Sequence, residues 1–513
     1  MSCYNIGYEP YWQDELSSFY ASRGVLAHGL PFFPSGFLYE KADLYSYLLA
    51  LWTTVFGAGG GVPRFISVFE YLISIPLMYV VGNYFFNRRV ALLATAMLAL
   101  SPITLVWSRQ MRMYEQAQLL SLLAVYLFYR AIQERHRIRL VYFAAIALVA
   151  MYLSHEETFI TLPAILLCIL IASRDRFITS DGNTRYGLPF VLTQKHWWFA
   201  ACICVGSIGT QLLLVHFTNP PLLGTDQTQR PFVSFTIDNI PYYFDLLFAP
   251  GVLGKGTFPW ITLNSLLCVV GCILARYRGD MRAKYCALFP VVSLVTLVLL
   301  FVSQADRYIY TLLPYYYLLG AFALVYILQM EWQFAQTCLH QNMHRRPGIP
   351  TRIMITLTGC LVCATVLIAP ALPVSGYNLF ASQLFGLSYH RHYADYDAAG
   401  QYMRAHWKPG DIVISVAPAN CVLYYTGHID YFFSVDRALF LLEQNGQVIE
   451  TASAGHAMLN QDDFQTVLSQ KARIWIISDN GVYQAQDFKR FTFPPDFRLV
   501  FEGYGSAIYF RGD

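Results

Sequence analysis

Apolar residues in this chain do not alternate with polar ones but run on, in blocks of about 15–22 residues with few or no charges. Ten such blocks lie at 63–86, 90–107, 113–132, 140–154, 158–173, 197–217, 258–275, 285–303, 308–329 and 353–373. Runs of this length predict membrane-spanning helices, the shorter ones with tilt or local thinning of the bilayer. Ahead of the first block, residues 14–28 place Leu16, Phe19, Tyr20 and Ala27 on apolar helix faces, and 43–56 forms a second such stretch. Both are too short to span and predict helices lying along the membrane surface. "GAGGG" at 57–61 lacks the spacing and preceding strand of a phosphate loop, and reads as a flexible joint into Pro63. From about His390 the rhythm becomes that of a soluble α/β unit. "YDAAGQYMRAHW" predicts an amphipathic helix, "DIVISVA" and "ARIWIISD" predict strands, and "LVFEGYGSAIYFRG" predicts a closing hairpin. The expected architecture is a polytopic α-helical membrane protein. It has a first loop with juxtamembrane helices (1–62), a bundle of about ten helices (63–373) and a C-terminal α/β domain (374–513).

Composition agrees with that class: 56% of residues are hydrophobic, 13% are charged and the mean hydropathy is +0.40. Charge then orients the bundle. The loops 87–89, 130–139, 174–196, 276–284 and 330–352 carry 17 Lys and Arg. The loops on the other side, with Arg64, carry 8, and 10 more follow residue 373. The positive-inside rule puts the first set in the cytoplasm of a multi-pass protein of the cell membrane. Residues 1–62, 218–257 and the C-terminal domain then face outward, and a helix upstream of Met1 would carry the first loop there. The eleven cysteines form no disulfide framework, and Cys360 and Cys363, within an apolar run, read as packing residues. No nucleic-acid partner is expected.

Few ionisable residues remain to do chemistry, and those outside the cytoplasm are grouped. "YWQDELSSFY" places Asp14 and Glu15 side by side. Neighbouring helix positions point about 100° apart, so the two carboxylates do not oppose each other across a bond as in a glycoside hydrolase. Either both cap a helix, or one is a base that the other orients. Lys41 in "YEKADLY", Arg109 and Arg112 in "SRQMRMYE", and Arg307 in "QADRYIYTLLP" lie on the same side. Arg109 and Arg112, three residues apart, are expected on one helix face. Glu115, His155, Glu156 and Tyr310 are supporting candidates. Basic groups gathered at one membrane face suit an anionic head group, phosphate above all. The C-terminal domain shows no nucleophile motif and no metal cluster.

With those residues in view, the stretches "YWQDELSSFYASRGVLAHGLPFFPSGFLYEKADLYSYLLALWTTVFG", "PRFISV" and "NRRVALLATAMLALSPITLVWSRQMRMYE" resemble the GT-C glycosyltransferases. The resemblance is closest to the protein O-mannosyltransferase and aminoarabinose-transferase group and runs through most of 10–330. It implies a sugar donor carried on a lipid phosphate, inverting transfer of a hexose or pentose, and an active site on the non-cytoplasmic face. It also implies Asp14 as the base with Glu15 beside it, Lys41 on the donor phosphate, and Arg307 with Tyr308 at the lipid site, where Tyr310 fits nearly as well. Leu16, Ser17 and Ser18 stand where aminoarabinose transferases place an Arg, and Glu70, inside a span, has no counterpart role.

The chemistry fits independently of the family. A polyprenyl phosphate is a good leaving group that needs cations more than a general acid, and the acceptor hydroxyl needs a base. The residues predict no particular cofactor. A divalent ion held by Asp14, Glu15, His155 and Glu156 is an alternative. The expected partners are the lipid bilayer, a polyprenyl-phosphate-linked sugar and an acceptor that is a protein, lipid or glycan. A transporter or flippase of an anionic lipid and a non-catalytic membrane scaffold are the rival readings.

Overall fold

The computed structural model describes residues 3, 6–178, 184–223, 234–248, 260–277, 280–301, 304–341, 356, 359–360, 394–433, 441–470, 472–479 and 495–512. The apolar run expected at 353–373 lies outside the described residues apart from 356, 359 and 360.

Two helices open the chain where they are expected, α1 (Gln13–His28) and α2 (Asp43–Phe56). Helix α2 is amphipathic, but α1 is not, since it buries Glu15, Ser18 and Ser22 beside Leu16 and Ala21 and exposes Ala27. Acidic residues in the first turn of α1 complement its dipole, and Gly29, at φ 78°, ends it in a left-handed cap. Gly24 in mid-helix is a place of close approach. A Cβ there would lie 2.1 Å from the Phe32 carbonyl oxygen, so the loop after α1 packs directly onto the helix.

The bundle follows as α3 (Phe65–Phe85), α4 (Arg88–Leu100), α5 (Pro102–Ser108), α6 (Tyr114–Gln133), α7 (Arg139–Ser154), α8 (Leu162–Ala172) and α9 (Lys195–Thr218), with a β1–β2 hairpin (Arg174–Ile178 and Thr184–Pro189) before α9. It continues with α10 (Asn239–Phe248), α11 (Trp260–Tyr277), α12 (Met281–Leu300) and α13 (Leu313–Gln341). Among the described residues, four segments are long and apolar enough to cross a membrane: Val62–Phe85, Lys195–Thr218, Met281–Leu300 and Arg307–Gln333. Helix α9 lies outermost, with Phe199, Val205, Leu213 and Phe217 exposed, as lipid-facing residues are.

Several of the apolar runs are not single α-helices among the described residues. The run 90–107 breaks between α4 and α5, where Ser101 is extended (ψ 124°) because Pro102 disfavours helical geometry in the residue before it. The run 158–173 starts as a 3₁₀ segment, Glu156–Thr161, ahead of the 11-residue α8. A second 3₁₀ segment, Asp306–Leu312, leads into α13. Both tight segments lie where the candidate ionisable residues cluster.

The C-terminal region is a mixed eight-stranded sheet in the order β5-β6-β7-β4-β3-β8-β10-β9. Its strands are β3 (Ile412–Val416), β4 (Tyr431–Phe433), β5 (Leu441–Gln444), β6 (Gln447–Glu450), β7 (His456–Met458), β8 (Ile474–Asp479), β9 (Arg498–Gly503) and β10 (Ser506–Arg511). Central strands β3 and β8 are parallel and buried along their whole length, which explains their unbroken apolar sequence. One sheet face packs on a helix at Gln461–Leu468 through Ile414, Phe464 and Ile476. The other, through Val413, Trp475 and Ile508, joins the core of the bundle by way of α14 (Tyr396–His406) and α15 (Ala419–Thr426). Helix α15 sits on α1: Asn420 Nδ2 donates to the Gln13 carbonyl (2.7 Å) and to Ser17 Oγ (3.2 Å), and the Tyr11 amide donates to Tyr425 Oη (2.5 Å). The sheet domain therefore holds down the helix that carries Asp14 and Glu15.

Candidate active site

The adjacent carboxylates have opposite surroundings. Glu15 is fully buried. Its Oε1 accepts from Arg64 Nε (2.7 Å) and the Met111 amide (2.8 Å), and its Oε2 accepts from Arg64 Nη2 (2.6 Å). Arg64 in turn donates to the carbonyls of Ile6, Glu9 and Pro10, so one buried guanidinium ties the N-terminal segment, α1 and the start of α3 together. Asp14 is different. Its side chain is 29% exposed, its carboxylate accepts no hydrogen bond among the described residues, and its Oδ2 is 3.9 Å from Arg112 Nη2.

Arg112 is buried and anchored around that carboxylate rather than on it. Its Nη1 donates to the Asp14 carbonyl (2.8 Å), Ser18 Oγ (2.9 Å) and Tyr39 Oη (3.2 Å), while its Nε is buried with no partner. The guanidinium lies 5.6 Å from the Tyr114 ring centroid. Arg307, on the second 3₁₀ segment, feels Tyr114, Asp14, Tyr308 and Arg112, and packs 5.5 Å from the Tyr308 ring. Lys41 completes the group. It is exposed to solvent within reach of the charges of Glu156, Glu157 and Asp14, so the group opens to solvent on this side. Burial acts to lower its pKa, but Glu156, Tyr39, Glu157 and Asp14 outweigh that and raise it, keeping the ammonium charged.

The first 3₁₀ segment adds an acidic and imidazole wall. The Glu156 amide donates to the Lys41 carbonyl (3.2 Å). Burial pushes the carboxyls of Glu156 and Glu157 up to about 7, against the pull of Lys41. His155 Nδ1 accepts from the Glu157 amide (3.1 Å), and its Nε2 lies 3.3 Å from Glu157 Oε2. Burial, then Arg112, Lys41 and Arg307, hold its pKa well below the usual imidazole range, so the ring is neutral with the proton on Nε2. Tyr114, His155, Glu157, Arg307 and Tyr308 surround a cavity of about 20 Å³, room for one water. A larger hollow of about 460 Å³ lies at the far end of α1, between Tyr20, Arg23, His28 and Phe32, and has no carboxylate in its lining.

Asp14, Lys41, Arg112, His155, Glu156, Arg307 and Tyr308 thus come from five separate stretches of chain and face one another. Arg109 does not join them. Residues 109–113 form turns rather than helix, so Arg109 and Arg112 share no face, and Arg109 is buried beside Arg64 instead. Glu115 turns away, its Oε1 accepting from the Tyr310 hydroxyl inside the bundle, while Tyr310 also lines the small cavity beside Tyr114, Arg307 and Tyr308. Tyr308, rather than Tyr310, accompanies Arg307 and Glu157. Among the described residues no three His, Cys, Asp or Glu side chains are arranged to hold a metal ion. The sequence signal missed Arg64 as the partner of Glu15, and Tyr39 and Tyr114 as neighbours of Arg112. An arginine directly after Pro63, at the mouth of a span, was the one visible hint.

Residues 40–206 match the family described as dolichyl-phosphate-mannose-protein mannosyltransferase. No curated protein sequence matches the chain. Solved structures do match in fold. ArnT from Cupriavidus metallidurans in the apo state aligns with a TM-score of 0.62 at 12% identity, covering 98% of this chain and 94% of that one. The same protein bound to undecaprenyl phosphate aligns at 0.61 and 12% identity, covering 99% and 95%. The Archaeoglobus fulgidus oligosaccharyltransferase tethered to an acceptor peptide aligns at 0.57 and 12% identity, covering 91% of this chain and 65% of that one. The chain therefore has the GT-C fold of ArnT, and its residues 40–206 carry the match to the mannosyltransferase family.

Proposed function

We propose that this protein is an inverting glycosyltransferase that moves a sugar from a polyprenyl-phosphate donor to an acceptor hydroxyl at the non-cytoplasmic membrane face. The observation that carries the reading is the free carboxylate of Asp14 set among Arg112, Arg307 and Lys41. The binding of undecaprenyl phosphate by one structural neighbour agrees with it. The Lys and Arg distribution supports the outward orientation.

The chemistry is a single displacement. The acceptor oxygen attacks the anomeric carbon, the bond from that carbon to the phosphate oxygen breaks, and polyprenyl phosphate leaves with the electron pair. Asp14 takes the acceptor proton. Its carboxylate is available because it accepts no hydrogen bond among the described residues, and it is held in place because its own carbonyl, Gln13 and Ser17 are pinned by Arg112 and Asn420. Arg112, Arg307 and Lys41 receive the growing phosphate charge. The unpartnered Nε of Arg112 is a donor already desolvated for an anion. Glu15 is a positioning residue: both its oxygens are occupied, and its pair with Arg64 sets the rotation of α1 that turns Asp14 toward the cleft.

Incubating the reconstituted protein with radiolabelled polyprenyl-phosphate sugars and a membrane extract as acceptor tests this. Transfer is expected, and Asp14→Asn is expected to abolish it while the protein stays folded. Sugar transfer undiminished in Asp14→Asn refutes the assignment, and lipid translocation without any release of polyprenyl phosphate favours a flippase.

A further inference from the structure

We propose that Glu70, Glu115 and Gln116 form a binding site for one small hard cation, a proton or Na⁺, inside the helical bundle and separate from the cleft around Asp14. Glu70 lies within the apolar segment Val62–Phe85, and Glu115 and Gln116 open α6. All three side chains are nine-tenths or more buried: relative exposures are 6%, 0% and 3%. Gln116 Nε2 donates to Glu70 Oε1 (3.0 Å), and the Tyr310 hydroxyl donates to Glu115 Oε1. That leaves Glu70 Oε2, Glu115 Oε2 and Gln116 Oε1 buried with no partner.

The three orphaned atoms are all acceptors; the Gln116–Glu70 hydrogen bond joins two of the side chains, and the charge of Glu115 is felt at Glu70. Neither carboxylate makes an ion pair among the described residues. The groups that press on the pair from the packed elements are phenols: Tyr45 from α2 on Glu70, and Tyr71 from α3 and Tyr310 from the second 3₁₀ segment on Glu115, with Tyr317 from α13 behind Tyr71 and Tyr310. Arg112 and Glu15 reach only the Tyr45 side. Two uncompensated carboxylates in an apolar interior are far too costly to persist, so something positive must sit with them. The donor atoms are oxygens, which select a hard ion. Three are too few for Ca²⁺, which takes about 6–8 oxygens, or for an octahedral Mg²⁺ shell. A proton turns one orphaned oxygen into a donor toward the next; Na⁺ bonds the oxygens together. Nothing here depends on the sugar-transfer reading.

The test uses the full chain in lipid nanodiscs. Dicyclohexylcarbodiimide converts protonated carboxyls in apolar surroundings to stable N-acylureas, located by peptide mass spectrometry. In parallel, thermal midpoints are measured in NaCl, KCl and choline chloride at constant ionic strength, for wild type, Glu70→Gln and Glu115→Gln. Labelling of Glu70 or Glu115 that falls about tenfold or more from pH 6 to 9, unaffected by NaCl, identifies the proton. Labelling blocked by NaCl but not by choline chloride, with a sodium-dependent rise in the wild-type midpoint that either variant loses, identifies Na⁺. No labelling at either residue at any pH, together with no sodium effect on the wild type, overturns the site. The labelling arm needs no variant, so a substitution that fails to fold does not obscure the answer.

Discussion

Glu15→Gln removes one negative charge and keeps the side-chain shape, so it isolates what the buried pair with Arg64 contributes. Glu15 accepts four hydrogen bonds, three of them short at 2.6, 2.7 and 2.8 Å and one from the Trp12 amide at 3.4 Å. Glutamine keeps one oxygen but turns an NH₂ toward a donor it cannot accept from. Arg64, 2% exposed, is then left buried without its counter-charge. Breaking a buried pair in this way costs about 3–5 kcal/mol. Asp14→Asn, by contrast, changes a partly exposed group 3.9 Å from its nearest cation, and is expected to cost less than about 1 kcal/mol. Equilibrium unfolding in mixed micelles, followed by the fluorescence of the nine tryptophans, measures both. Arg64→Met alone also orphans the carbonyls of Ile6, Glu9 and Pro10, so the double variant Glu15→Gln/Arg64→Met should recover only part of the summed loss. A coupling energy of about 2 kcal/mol or more is expected from the cycle. A Glu15→Gln protein within about 1 kcal/mol of wild type, or a strictly additive cycle, refutes the positioning role given to Glu15.

Two further outcomes follow from the same geometry. Lys41→Ala should raise the KM for the polyprenyl-phosphate donor or lower kcat while leaving the thermal midpoint near wild type; steady-state kinetics that move neither parameter remove Lys41 from the donor site. Glu156 and Glu157 are protonated more readily folded than unfolded, so the stability they contribute is fully present below about pH 4.5 and is lost as pH rises through about 7. Each shift corresponds to at most about 3 kcal/mol. Glu156→Gln and Glu157→Gln should each flatten the fall in thermal midpoint over that window, and an unchanged slope in both variants counts against the buried acidic wall.

Much of the fold was legible because its causes are local. The stretch 43–56 is helical to the residue, since its apolar face is bounded by Ala42 and a glycine run. Strands β3 and β8 announced themselves as β-branched runs buried on both faces. The break at Ser101 went unseen because hydropathy stays high through it, and only the backbone restriction imposed by Pro102 interrupts the helix. The same blind spot hid the turn at 109–113, where helical spacing wrongly placed Arg109 beside Arg112.

What the sequence alone determined is the kind of molecule and its inventory: apolar runs of bilayer length, a terminal α/β unit, and a scarce set of charges. Which of those charges act together was decided only in three dimensions. Arg112 reaches Asp14 across 98 residues, and Asn420 reaches Gln13 across 407. The clearest case is Asp14 against Glu15. Identical chemistry one residue apart turns through about 100° of helix, and the direction that meets Arg64 becomes structure while the other opens on the cleft. No local pattern encodes that choice, because it is fixed by where a guanidinium from another helix comes to rest.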